Sequence, residues 1–154
     1  MTASAPEGAP APELSLTDGL IQLSFLVQAV LGRLAGEQGL SITQVRMLAV
    51  LEDREIGMRR LAGILELEKS SVTGLVDRAE RRGLVRRNAV PGNRRAVHVT
   101  VTEAGRAVVH LVHEAVRTEL GELAGALDEG GQNSFRRSTG ALIRHYVTRH
   151  AIPL

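Results

Sequence analysis

Residues 61–102 read LAGILELEKSSVTGLVDRAERRGLVRRNAVPGNRRAVHVTVT, and this stretch decides the fold. Its second helix has a clear inside. Val72, Leu75, Val76 and Ala79 recur at i, i+3, i+4 and i+7, the spacing of one buried stripe. At about 100° per residue, the opposite face carries Ser70, Gly74, Asp77 and Arg81, flanked by Ser71, Thr73 and Arg78. That face begins with small hydrogen-bonding residues and ends in cations, with Lys69 just before it. Gly83 stands where a helix end favours glycine. Leu84-Val85 then opens a strand, and Val97, Val99 and Val101 alternate in the next. Between them Val90-Pro91-Gly92-Asn93 fits a type II turn, with Pro at i+1 and Gly at i+2.

Such a helix can enter a major groove and reach base edges. A hairpin with Arg94 and Arg95 just past its tip can reach a neighbouring minor groove or the phosphates. Together the two predict a winged helix-turn-helix, with Lys69, Ser70, Ser71, Thr73, Gly74, Asp77, Arg78, Arg81, Arg94 and Arg95 facing DNA. Lys69, Arg78 and Arg81 suit phosphates better than bases. The spacing alone equally allows an amphipathic helix and hairpin whose charges are only a solvated face.

Working outward, the charge is unevenly spread. Residues 54–106 hold 12 Lys/Arg and 6 Asp/Glu, a net of +6, whereas the remainder holds 7 and 11, a net of −4. A basic middle between acidic flanks points to an anionic partner for the middle. The 154 residues suit one compact domain. With no cysteine, disulfides, thiol sensing and Cys-ligated zinc are excluded. The aromatics are Phe25, Phe135 and Tyr146, too few for stacking on single strands. No basic n-region precedes an apolar run, and no long uncharged apolar run is evident, so the expectation is a soluble cytoplasmic protein.

Residues 1–13 are rich in Ala and Pro without an apolar period, and are expected to be a disordered tail. A first helix is expected from about Leu16 to Gln38. Its Leu16, Leu20, Leu23, Val27, Val30 and Leu34 step by 4, 3, 4, 3, 4, a heptad seam. Ile21, Phe25, Leu26 and Leu31 widen the apolar arc, and Gly39 ends the helix. Ser41 and Gln44 make a capping box for the second helix, with Leu40 and Val45 as a hydrophobic staple. A third covers about Met58 to Leu65. A fifth, after Thr102, carries Val108, Leu111, Val112, Ala115, Val116, Leu120, Leu123 and Leu127. Gly130-Gly131 is expected to break the chain before a sixth helix with Phe135, Leu142, Ile143, Tyr146 and Val147. These outer helices carry more apolar surface than one small lobe can cover, so self-association through the first, fifth and sixth is expected.

The residues SSVTGLVDRAERRGLVRR (70–87), NRRAVHVTVTEAG (93–105) and Leu61-Ala62 resemble the multiple-antibiotic-resistance regulator (MarR) family of bacterial winged-helix transcription factors. The likeness covers about residues 14–149. It implies a mainly α fold with a small β-hairpin wing. Residues 14–38 and 103–149 would be dimerisation helices, 41–102 the DNA-binding lobe and 150–154 a C-terminal tail. It also implies a homodimer on a pseudo-palindromic operator, most simply a repressor, released by a small aromatic or phenolic ligand between the interface and the lobe. Three departures stand out: Asn93 where the family usually has Asp, Glu68 where it often has a capping Ser or Thr, and Gly74 where some members have a base-reading Arg.

Polar candidates for the ligand are Ser24, Gln28, Arg46 and His113, with Arg46 able to pair with a carboxylate. His110 and His113 stand at i, i+3, with Glu114 beside them, a spacing that permits a shared metal, although no metal or other cofactor is expected. No nucleophile–base, paired-carboxylate or Gly-rich phosphate signature sits in a suitable context, so an enzyme is not expected. Two other functions stay open at this point: nonspecific DNA coating, and a protein-binding winged-helix adaptor without ligand response.

Overall fold

The computed structural model describes residues 14–150 apart from Pro91, with the side chains of Asn93, Arg94, Arg95 and His150 outside the described set. The tail expected at 1–13 and the last four residues of the one expected at 150–154 also lie outside it. Among the described residues, six helices and three strands follow in the order α1 (Leu16–Glu37), α2 (Ile42–Leu51), β1 (Ile56–Gly57), α3 (Met58–Leu65), α4 (Lys69–Arg81), β2 (Val85–Val90), β3 (Asn93–Val101), α5 (Glu103–Ala124) and α6 (Glu129–His150). The mainly α class with a hairpin wing is therefore the observed one.

The core lies inside the lobe. Val72, Leu75, Val76 and Ala79 of α4, the stripe expected from spacing, are all buried. They pack in one cluster with Met47, Leu48 and Leu51 of α2, Leu61 and Leu65 of α3, Val85, Val99 and Val101 of the sheet, and Val109 and Val112 of α5. The capping box of α2 is present, with Ser41 N–H donating to Gln44 Oε1 at 2.9 Å and Gln44 N–H donating to Ser41 Oγ at 3.2 Å. Because that amide is used in the cap, Gln44 can be buried without cost to a bare polar group.

The sheet has the order β1-β3-β2, all antiparallel. The two-residue β1 was not expected. It has no alternation of its own and exists through pairing Ile56 with Val99 and Gly57 with His98. A register shift falls between Ala89 and Val90, at the root of the wing tip. Gly92 has φ +80°, which suits position i+2 of the expected type II turn, while Pro91 lies outside the described residues.

α5 starts where Thr102 accepts from Gly105 N–H at 3.1 Å, and Thr102 Oγ1 donates to Gly83 O at 2.6 Å. Gly105 is required here: a Cβ would lie 2.1 Å from the Leu84 carbonyl oxygen. Its absence lets α5 press onto the start of β2. The expected break at Gly130-Gly131 is a correction. The chain breaks just earlier, between α5 and α6, and both glycines lie in the first turn of α6. Asp128 explains the shift, since its carboxylate accepts from Gly131 N–H at 2.7 Å and caps the helix.

The heptad seam of α1 is covered by degrees: Leu16 and Leu20 are exposed, Leu23, Val27 and Val30 half-buried, and Leu34 buried. Beside the seam, Ile21, Phe25 and Leu26 are exposed. Leu111 and Leu123 on α5, Leu127 just past it, and Phe135, Leu142, Ile143 and Tyr146 on α6 are exposed as well. Contrary to the expectation of no long apolar run, α1 is long and apolar enough to cross a bilayer by length and composition. Its heptad seam and its Gln22, Ser24 and Gln28 are instead the pattern of a helix that packs on other helices.

Candidate nucleic-acid interface

On α4, the outward residues follow from the buried stripe. Lys69, Ser70, Ser71, Thr73, Arg78 and Arg81 are exposed, while Gly74 and Asp77 are half-buried. Thr73 Oγ1 donates to Lys69 O at 2.9 Å, so its hydroxyl proton is spent inside the helix. What Thr73 offers outward is a lone pair and a methyl group. Glu68 holds the N-cap position but its side chain makes no cap bond. The first-turn N–H groups of α4 are therefore not satisfied by that side chain, in a place that favours anions. Gly74 leaves a gap that Arg78 enters: a Cβ at residue 74 would lie 3.3 Å from Arg78 Nη1. The arginine over this position is thus one folded back from the following turn.

Asp77 is placed differently from expectation. Its Oδ1 is 2.5 Å from Nη2 of Arg87 on β2, and Arg87 also pairs with Glu80 through Nη1. The Arg87 backbone N–H donates to Glu80 Oε1 at 3.1 Å. Burial pulls the Arg87 pKa down, but the hydrogen bonds and charges of Asp77 and Glu80 outweigh it, and the pKa is raised. Asp77 thus engages neither Arg78 nor Arg81, and its carboxylate is taken up by the strand. Nothing in the sequence named Arg87 as the partner, because cross-element pairing depends on where β2 returns.

A cleft of about 880 Å³ opens between the starts of α3 and α4 and the inner wing strand β3. Arg59, Arg60, Lys69 and His98 line it together with one carboxylate, Glu55, with Met58 and Val97 on its apolar side. The first two were not among the residues expected to face DNA. A signal for them existed: cations at a helix N-terminus oppose the macrodipole, and Arg59-Arg60 sits in the first turn of α3. An anion in the cleft removes that conflict.

Arg94 and Arg95 sit on β3 just past Gly92, but their side chains, like that of Asn93, lie outside the described set. The four ligand candidates are not gathered in any described cavity. Ser24 Oγ donates back to Ile21 O at 2.8 Å, and Arg46 Nη2 reaches the Ile64 carbonyl at the end of α3 at 3.3 Å. Gln28 is exposed on α1 and His113 half-buried on α5. His110 Nε2 lies 2.9 Å from Glu52 Oε1 rather than joining His113, and the described residues hold no cluster of three metal-ligating side chains.

The family model described as MarR family matches residues 38–96, the lobe from the end of α1 into the wing. The HTH-type transcriptional regulator PecS of Dickeya dadantii is 27% identical over 133 residues, covering 83% of this chain and 80% of the relative. The crystal structure of RV1404 from Mycobacterium tuberculosis is similar at 27% identity and TM-score 0.75, covering 88% of this chain and 97% of that one. A mutant of S. aureus MepR, bound to an oligodeoxyribonucleotide, shares the fold at 14% identity, with TM-score 0.67 and coverage of 87% and 99%.

Proposed function

Since the chain belongs to the MarR family of winged helix-turn-helix, DNA-binding transcription regulators, whose activity is binding rather than catalysis, we propose that it works as a cytoplasmic homodimeric repressor on a pseudo-palindromic operator. The observation that carries the reading is the outer face of α4, small and polar at its start and cationic at its end, next to the cationic cleft at the wing. A winged module straddles a phosphate strand when its helix occupies the major groove and its wing the adjacent minor groove. In this arrangement the cleft with Arg59, Arg60 and Lys69 receives that strand. Ser70, Ser71, Thr73 and Gly74 face the bases, Arg78 and Arg81 the flanking phosphates, and Arg94 and Arg95 the minor groove.

The exposed leucines and aromatics of α1, α5 and α6 supply the dimer interface. The half-sites then lie about one helical turn apart, roughly 10 bp centre to centre. Light scattering at micromolar concentration tests this directly: the expected mass is twice that of the chain, and a folded monomer contradicts it. A small aromatic or phenolic ligand releases the dimer from DNA. Support for that comes from the family reading, since the candidates Ser24, Gln28, Arg46 and His113 line none of the described cavities. A panel of aromatic acids, scored by thermal shift and gel shift together, tests it. Coupling is reciprocal, so a compound that stabilises the protein without weakening DNA binding is not an inducer.

A further inference from the structure

Arg82 is the C-cap of α4, and its side chain reaches out of the recognition helix to the end of α1. Nη1 donates to Gly39 O at 2.6 Å and Nη2 donates to Gln38 O at 2.8 Å. These are consecutive carbonyls just past Glu37, the last residue of α1. The turn that ends α1 uses Leu40 N–H on Ala35 O and Gly39 N–H on Gly36 O, which leaves the Gln38 and Gly39 carbonyls for Arg82. The last turn of α1 has no basic residue of its own. Arg82 supplies, from another helix, the cation that a helix C-terminus favours.

Both ends of the link are held in place. Gly39 has φ +63°, and a Cβ there would lie 3.7 Å from both terminal nitrogens of Arg82, so the guanidinium covers the turn closely. On the other side, Gly83 N–H bonds Glu80 O and Leu84 N–H bonds Ala79 O, which fixes the chain around Arg82. A planar fork on two adjacent acceptors fixes direction as well as distance, which a lysine cannot do. The two helices joined have different tasks: α1 carries exposed apolar side chains along its first half, and α4 carries the outward polar face. An exposed link of this kind adds little to stability. What it determines is geometry.

We propose that Arg82 is a positioning residue that sets the distance and angle between the two recognition helices of the dimer, and through them the half-site spacing the protein accepts. The proposal rests on the homodimer reading above. Arg82 has no assigned contact with DNA, and its effect passes entirely through the α1–α4 joint.

The test measures full-length protein binding to one isolated half-site and to a series of palindromes whose spacer varies base pair by base pair. The unaltered protein is expected to prefer one spacing. Arg82→Ala should reduce that preference by about threefold to thirtyfold, the range in which substitutions along a coupling path act. Its affinity for the isolated half-site should stay unchanged, with the dimer mass intact. Arg82→Lys, which keeps the cation without the fork, should fall between the two, and carries the test if the alanine variant fails to fold. A variant that retains the full spacing preference overturns the proposal. So does one that loses affinity for the half-site and for every palindrome by the same factor. A spacing preference absent from the unaltered protein points instead to failure of the homodimer reading.

Discussion

The Arg87 guanidinium on β2 lies 2.5 Å from the Asp77 carboxylate on α4, so the helix proposed to read DNA is pinned to the strand that leads into the wing. The same guanidinium takes Glu80, and two acidic groups on α4 are thereby neutralised from one point. Arg87→Ala should cost about 1–2 kcal/mol of stability, a charged hydrogen-bond network discounted for its partial exposure. DNA affinity should fall further, because two unpaired carboxylates would then face phosphates. Asp77→Ala should cost less, and combining it with Arg87→Ala should recover part of the DNA affinity. Chemical denaturation and a binding titration check both. Since the Arg87 pKa is raised, its contribution is complete below the ordinary arginine value and is lost only as pH rises through the folded value, so titrating the guanidinium should leave neutral-range stability unchanged.

Thr73→Ala should cost about 1–3 kcal/mol on the operator and little on random DNA, the mark of a base contact. Because the Thr73 proton is bound to Lys69 O, the lost contact is an accepted bond or a methyl packing, and Thr73→Val should retain the methyl part alone. Arg81→Ala should weaken both DNAs alike. Equal losses for both DNAs in Thr73→Ala would remove it from the reading face.

The cleft and wing are tested by salt. Replacing Arg59 and Arg60 together with Ala should lower the magnitude of the salt slope by about two units while leaving sequence discrimination intact. Arg95→Ala should lower it by about one and reduce the preference for A·T flanks, since a narrow minor groove attracts arginine. An unchanged slope in either variant would exclude that contact.

Glu66 ends α3 at φ 55°, a left-handed conformation that disfavours side chains. Glu66→Gly should raise stability by about 1 kcal/mol. Gly105→Ala should lower it by about 1–3 kcal/mol or more, since the added methyl meets the Leu84 carbonyl. Thermal unfolding reads both, and stabilisation by Gly105→Ala would refute the packing described for α5.

Most of the fold was legible where period and capping agree. The α4 stripe, the Ser41–Gln44 box and the Gly83 turn depend on neighbours within a few residues, and the sequence carries such relations directly. β1 was not legible, because a two-residue strand is defined by its partner β3. The Asp77–Arg87 pair, the Arg46–Ile64 contact and the Arg82 link join residues 10, 18 and more than 40 positions apart, so they depend on how elements pack. The Arg59-Arg60 pair was visible in the sequence, and its conflict with the α3 dipole was the clue that singles it out from other surface cations. The ligand residues were the least legible, since a pocket between an interface and a lobe is not encoded in any local pattern.

The central claim is sequence-specific operator binding by a dimer. Its most direct measurement is a titration of the duplex upstream of the protein's own gene, in the presence of excess random-sequence competitor, with the stoichiometry of the complex determined. The expected result is one discrete, saturable complex of two protomers, at least about a thousandfold tighter than binding to the competitor. A salt-sensitive smear on any DNA, or no complex at all, would contradict it.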